Sequence, residues 1–305
     1  MTAVETKTAE TETAETTAAD AEERPVREAA PLKHDEAASG RASKPRGKRR
    51  LGPGKAIPFG YVIGPLLLLG IWSWGSAQGW IDPRVLSAPW TVATTGWDLW
   101  ESGRLGPDLV VSARRFALGL VFGVGAGLLL ALVSGLSRWG EALVDGPVQL
   151  KRSIPNLALL PLLLLWFGID ERMKIITIAL GVLIPIYIHT HNALRSIDGR
   201  YAELSETLRL SHRSFIGRVV LPGALPGFFL GMRFAVTASW LSLVVVEQVN
   251  ATSGIGYMML LAGTYGQTDI IIVGLVLYGL LGLTSDLIVR VIQRRALSWR
   301  RTLED

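Results

Sequence analysis

Five ionisable side chains stand inside otherwise apolar stretches: His189, His191, Arg233, Glu247 and Asp286. A charge in such a stretch is costly unless it faces a neighbouring helix or water, so each is either functional or paired. Their spacing assembles no catalytic set. The two histidines are two residues apart, so on a helix they face different directions and do not readily share a metal. There are no cysteines, which excludes disulfides and cysteine metal sites. Gly52-Pro-Gly-Lys55 is not a phosphate loop, because it lacks a glycine at position 49 and a Ser or Thr after the lysine. Neither a Ser-His-Asp ordering nor a His-Glu-x-x-His is present. The chain is not expected to be an enzyme, and no metal site is assigned.

These residues need a frame. The chain has 305 residues, 49% of them hydrophobic, with a mean hydropathy of +0.35. That balance points to an all-α polytopic membrane protein. Six apolar runs are expected to cross the bilayer: 57–77, 113–136, 153–169, 175–193, 225–248 and 269–291. The first carries no charge and is long enough for ~30 Å of hydrocarbon. Between the first two, Trp90, Val92, Trp97, Leu99 and Trp100 suit a short interfacial helix bounded by prolines. Gly119, Gly123 and Gly127 give the second run a small-residue face for close helix contact. Arg114 and Arg115 open that run and are expected to snorkel outward. Residues 249–268 are expected to lie outside or to be partly re-entrant.

Charge fixes the orientation. Arg138, Lys151 and Arg152 mark one loop as cytoplasmic, and Arg195, Arg200, Arg209, Arg213 and Arg218 mark another. Arg290, Arg294, Arg295, Arg300 and Arg301 put the C-terminus on the same side. The net charge of +5 therefore reports topology rather than nucleic-acid binding. Residues 1–50 are expected to form a disordered cytoplasmic tail, since 1–40 are rich in Thr, Ala and Glu and hold no aromatic residue. The basic block 41–55 reads as an anchor at an anionic leaflet. The acidic start lacks the basic and apolar regions of a signal peptide. The remaining 51–305 form the six-span domain, in the cell membrane with both termini inside.

One polar, basic segment is wedged between two long apolar runs, at 203–226. Leu204, Leu208, Phe215 and Val219 recur at roughly helical spacing. Leu221-Pro222 and Leu225-Pro226 are expected to end that helix and set the entry angle of the next. A short amphipathic helix on a membrane surface can dock a soluble partner.

This segment resembles the cytoplasmic EAA loop of ABC-importer permeases: Glu-Ala-Ala, a glycine four residues on, and a Leu-Pro pair about a dozen residues beyond. Glu203 takes the place of the motif's Glu, Leu204 and Ser205 replace the two alanines, and Arg209 stands where the family has glycine. Gly231-Met232-Arg233, Trp240, Glu247 and Gly254-Ile-Gly-Tyr257 are also similar, and the resemblance spans roughly 85–292. It is closest to the subgroup that imports sulfonates, taurine and nitrate.

The resemblance implies a type I importer fold and a permease subunit that forms the pathway for a small solute, an anion such as an alkanesulfonate, taurine or nitrate. It implies ATPase subunits as partners, an extracytoplasmic binding protein that delivers the solute, a second permease copy, and surrounding lipid. It implies no cofactor on this chain, with ATP and Mg on the partner ATPase. The coupling residues would be Glu203, Leu204, Ser205, Leu208, Arg209, Phe215, Gly217, Leu221 and Pro222. Asn156, Ser239, Trp240, Ser242 and Glu247 lie in runs that line the family's pore. Glu203 either caps the docking helix or is a solvated carboxylate. At position 209 either the turn is reshaped or Arg209 touches the partner, because arginine does not adopt positive φ cheaply.

Overall fold

The computed structural model describes residues 60–299, and all regular structure among them is helical. The expected tail, the basic block, and Arg300 and Arg301 lie outside the described residues. The helices are α1 (Gly60–Ala77), α2 (Pro89–Glu101), α3 (Leu105–Leu136), α4 (Arg138–Ser153), α5 (Leu160–Phe167), α6 (Glu171–Arg195), α7 (Gly199–Thr207), α8 (His212–Phe215), α9 (Leu221–Asn250), α10 (Ile255–Thr264) and α11 (Thr268–Ala296). A 3-10 turn, Asn156–Leu159, precedes α5, and a π turn, Ile216–Val220, joins α8 to α9.

Four continuous helices are long and apolar enough to cross a membrane: Leu105–Leu136, Glu171–Arg195, His212–Val249 and Thr268–Ala296. The run expected at 153–169 is not one helix. Arg138–Ser153 and Asn156–Phe167 meet at 94° and make at most one bent crossing. Pro155 explains the break, since the residue before a proline is pushed out of helical geometry. Ile154 accordingly has φ −92 and ψ 120. In α1 the apolar stretch Val62–Ala77 is shorter than a full span.

The second correction concerns Pro222 and Pro226. They end no helix. Pro222 lies in the first turn of α9 and Pro226 inside it, and the chain runs helically from His212 to Val249. A proline removes an N–H and crowds the carbonyl four residues back. Here the π turn widens the helix just before Pro222, with Leu221 N–H donating to Ile216 O five residues back.

The centre of the fold is α6, which packs along both α3 and α9. The α3 seam uses the expected small residues. A Cβ built on Gly123 would lie 2.5 Å from Val182 Cβ and 2.6 Å from the Ala179 carbonyl oxygen. One on Gly127 would lie 2.7 Å from the Leu183 carbonyl oxygen. This is backbone-to-backbone approach within one chain, the contact that small residues allow in lipid. Around it Ile178, Val182, Ile186, Ala235, Leu243 and Val246 are buried. The short helix expected between the first two runs forms as α2, and its Val92 and Leu99 pack with Val273 of α11.

The seam gives a direct test. Gly123→Leu is expected to destabilise the fold by about 2 kcal/mol or more, because its side chain meets backbone that cannot yield. Gly125→Leu, with nothing within 4 Å of its Cβ position, is expected to have little effect. Thermal unfolding of the detergent-solubilised chain reads both.

Candidate functional site

Arg115 does not snorkel outward. It is 2% exposed, against a fully buried Glu247, and Nη1 donates to Glu247 Oε1 at 2.8 Å. Its other edge forks onto Glu171, with Nε to Oε2 at 2.8 Å and Nη2 to Oε1 at 2.6 Å. Lys174 Nζ reaches the same Glu171 carboxylate at 2.8 Å. Two basic and two acidic groups thus neutralise one another where α3, α6 and α9 meet. Both Glu247 oxygens accept further bonds: Ser112 Oγ at 2.8 and 2.9 Å, Tyr278 OH at 2.9 Å and Gly256 N–H at 2.9 Å. The last of these, with Ile255 N–H to Ser112 Oγ at 3.0 Å and Gly254 N–H to Asp108 Oδ1 at 2.8 Å, satisfies the start of α10. Gly254 has φ +111, and a Cβ there would lie 2.5 Å from Glu247 Oε1, so both its backbone and its neighbour require glycine.

A second polar group forms at the bend between α4 and α5. Asn156 Nδ2 donates to the Thr177 carbonyl at 3.0 Å and to Ser242 Oγ at 3.2 Å. Lys151 Nζ donates to Asn156 Oδ1 at 3.1 Å and to the Leu180 carbonyl at 2.9 Å. The pathway candidates therefore separate. Asn156 and Ser242 share one cluster, and Glu247 lies in the ion-pair hub. Trp240 stacks on Phe116 with ring centroids 4.2 Å apart, and its Nε1 donates to Ser285 Oγ at 3.2 Å. Ser239 is fully buried and its Oγ has no partner among the described residues. Arg233 pairs with Asp286 of α11 at 3.0 Å, and Asp286 also meets Arg290. The histidines divide as expected: His191 Nδ1 bonds Ser134 Oγ, while His189 stacks on Phe234.

The polar segment is two helices rather than one. α7 ends at Thr207, and Arg209 has φ +52. Leu210 N–H donates to Ser205 O at 2.9 Å and Arg209 N–H to Glu206 O at 3.0 Å. That pair of bonds closes a helix on a left-handed residue, usually glycine. The turn is thus made with arginine in place, at a cost of about 1–2 kcal/mol for the left-handed conformation. Glu203 does not cap: it stands exposed in mid-helix, and Asp198 Oδ1 accepts Arg200 N–H at the start of α7. Ser205 is buried, and its Oγ donates to the Ala202 carbonyl. Leu204 and Leu208 are 53% and 61% exposed, and a Cβ on Gly217 would meet nothing within 4 Å. Phe215 packs with Leu194 and Val220, while Pro222 lines a cavity of about 1220 Å³ with Tyr201, Arg218 and Trp299.

Residues 123–298 match the family model described as binding-protein-dependent transport system inner membrane component. The chain belongs to this family. It is the permease component of an ABC importer. Among its relatives, the putative aliphatic sulfonates transport permease protein SsuC of Escherichia coli (strain K12) is 43% identical over 235 residues, 77% of this chain and 89% of that protein. The protein of the same name from Bacillus subtilis (strain 168) is 36% identical over 249 residues, 81% of this chain and 90% of that one. The permease also superposes on a solved structure described as the crystal structure of an amino acid ABC transporter with histidines. Its TM-score is 0.52 at 17% identity, covering 62% of this chain and 92% of the other, a likeness of fold.

Sequence reasoning found Glu247 and missed its partners. Arg115 was visible as a charge at the head of a glycine-rich run, and Glu247 demanded a buried cation. Lys151 was legible only as a topology marker. The hub of the permease makes a prediction. Arg115→Met strands Glu247, whose carboxylate meets no other cation among the described residues, and is expected to cost about 3–5 kcal/mol, whereas Arg115→Met with Glu247→Met is expected to cost less than the sum of the single changes. A double-mutant cycle on thermal unfolding measures the coupling.

Proposed function

We propose that the permease forms the translocation pathway for a small anion, with aliphatic sulfonates the first class. The observation that carries the reading is the 43% identity to a protein named for sulfonate transport, sustained over 77% of this chain. An extracytoplasmic binding protein delivers the solute, and a second copy of the chain completes the pathway. The chain itself binds no nucleotide. ATP and Mg belong to a separate ATPase subunit.

In this reading α7, α8 and the π turn form the coupling element. Leu204 and Leu208 present apolar surface in a segment that is otherwise polar, which suits a groove on a soluble partner. The arginines at 195, 200, 209, 213 and 218 support a cytoplasmic position for this element, with both termini on the same side. The helical run from His212 to Val249 joins α8 and the π turn to α9 without a loop between them, and the tight turn at Arg209 ties α7 to that run. A partner that binds ATP can bias the pathway only through such a physical link.

The test is isolation of the tagged chain from its native membrane in mild detergent. An ABC ATPase is expected to accompany the wild type and to be lost when 203–217 is replaced by a Gly/Ser linker in a chain that still inserts. Absence of an ATPase from the wild type, under conditions that preserve a comparable complex, refutes the coupling assignment. Arg209→Gly is expected to retain the ATPase and to raise hydrogen-exchange protection at 205–210. Loss of the ATPase in that variant identifies Arg209 as a contact.

A further inference from the structure

Four basic side chains are wholly or partly shielded among the described residues: Arg115, Lys151, Lys174 and Arg233. Three of them meet carboxylates: Arg115 and Lys174 share Glu171, and Arg233 meets Asp286. Lys151 does not. Its ammonium has two neutral partners, Asn156 Oδ1 and the Leu180 carbonyl, and no carboxylate among the described residues lies within ion-pair distance. An ammonium carries three donors, so one is unused. A shielded cation without a counter-charge is costly in a membrane protein, and such residues mark ion pathways.

The surroundings of Lys151 are rich in donors. Ser242 Oγ accepts from Asn156, which leaves the Ser242 proton free to donate. Ser239 lies three residues earlier on α9, on the same face, with its hydroxyl buried and unpartnered. Gly181 of α6 makes room for this set, since a Cβ there would lie 2.7 Å from Ser242 Oγ and 3.1 Å from Asn156 Nδ2. The 94° bend brings the end of α4 over this point. One positive charge, with the Ser242 hydroxyl held near it through Asn156 and no carboxylate in ion-pair reach, matches an acceptor-only oxyanion.

We propose that Lys151 is the fixed charge of an anion-coordinating step on the translocation path, with Ser242 supplying a hydroxyl beside it. This rests on the reading of the solute as an anion. Asn156 orients both groups and does not itself need to touch the solute. Lys151 thereby sets selectivity for the charged head group rather than for the alkyl chain.

The experiment is uptake of radiolabelled ethanesulfonate by cells carrying the complete importer with wild type, K151R or K151Q. K151Q is expected to raise the half-saturating concentration or reduce uptake by about tenfold or more, the loss of one charge-assisted contact. K151R is expected to stay near wild type, and both variants to co-purify with their partners at wild-type levels. Wild-type uptake by an assembled K151Q complex overturns the proposal. So does failure of K151Q to assemble, which would assign Lys151 to holding the bend. A wild-type importer that carries a cation or an uncharged solute, and neither ethanesulfonate nor nitrate, overturns the anion reading itself, and the proposal with it.

Discussion

A carboxylate with no exposure, set in an apolar bundle, constrains everything near it. Glu247 is tolerated because Arg115 neutralises it and Ser112, Tyr278 and Gly256 N–H occupy its remaining lone pairs. Those partners come from α3, α11 and the start of α10, so one side chain of α9 fixes three other elements. Such a pair adds little net stability over apolar packing, but loss of Arg115 leaves Glu247 stranded. Its contribution is to specify a single arrangement: no rotation of α9 can keep Glu247 buried and still satisfied.

The glycine seam follows from the same geometry. Ser112, Arg115, Gly119, Gly123, Gly127, Ala131 and Ser134 are all buried and recur every three or four residues on α3. Polar groups occupy both ends of this stripe and small ones its middle. The close approach at the glycines brings Arg115 within reach of Glu171, at the first turn of α6. A bulkier middle would push α3 away from α6 and leave the guanidinium short of its partner. Packing and charge pairing are therefore one constraint along a single helix face.

Hydropathy made the long helices legible, because α3, α6, α9 and α11 are uninterrupted apolar runs. The small-residue face of α3 was legible for the same local reason. What escaped was whatever depends on partners distant in sequence. Arg115 has the local features of an interfacial residue, and only Glu247, 132 positions away, makes it a core residue. Pro155 lay inside a run expected at 153–169 and Pro222 was expected to end a helix, and each does the opposite. Pro155 breaks the helix, with Ile154 extended before it, whereas Pro222 lies within a continuous helical run that the π turn widens just before it. The coupling segment was found by motif, but its internal break was hidden by an arginine that stands in the left-handed position. At the bend, Asn156 and Ser242 were singled out while Lys151, which bonds Asn156, was absorbed into a count of loop charges.

The 38-residue helical run from His212 to Val249 has a mechanical consequence. It approaches α6 closely at Gly227 and Gly231, whose Cβ positions would fall against the carbonyl oxygens of His189 and Pro185. That point lies near the middle of the rod, with an arm of roughly 25–30 Å on either side at 1.5 Å per residue. A stiff rod held at mid-length is a lever of nearly unit ratio. A sideways excursion of a few ångströms at the His212 end reappears at the Val249 end at about the same size and in the opposite sense.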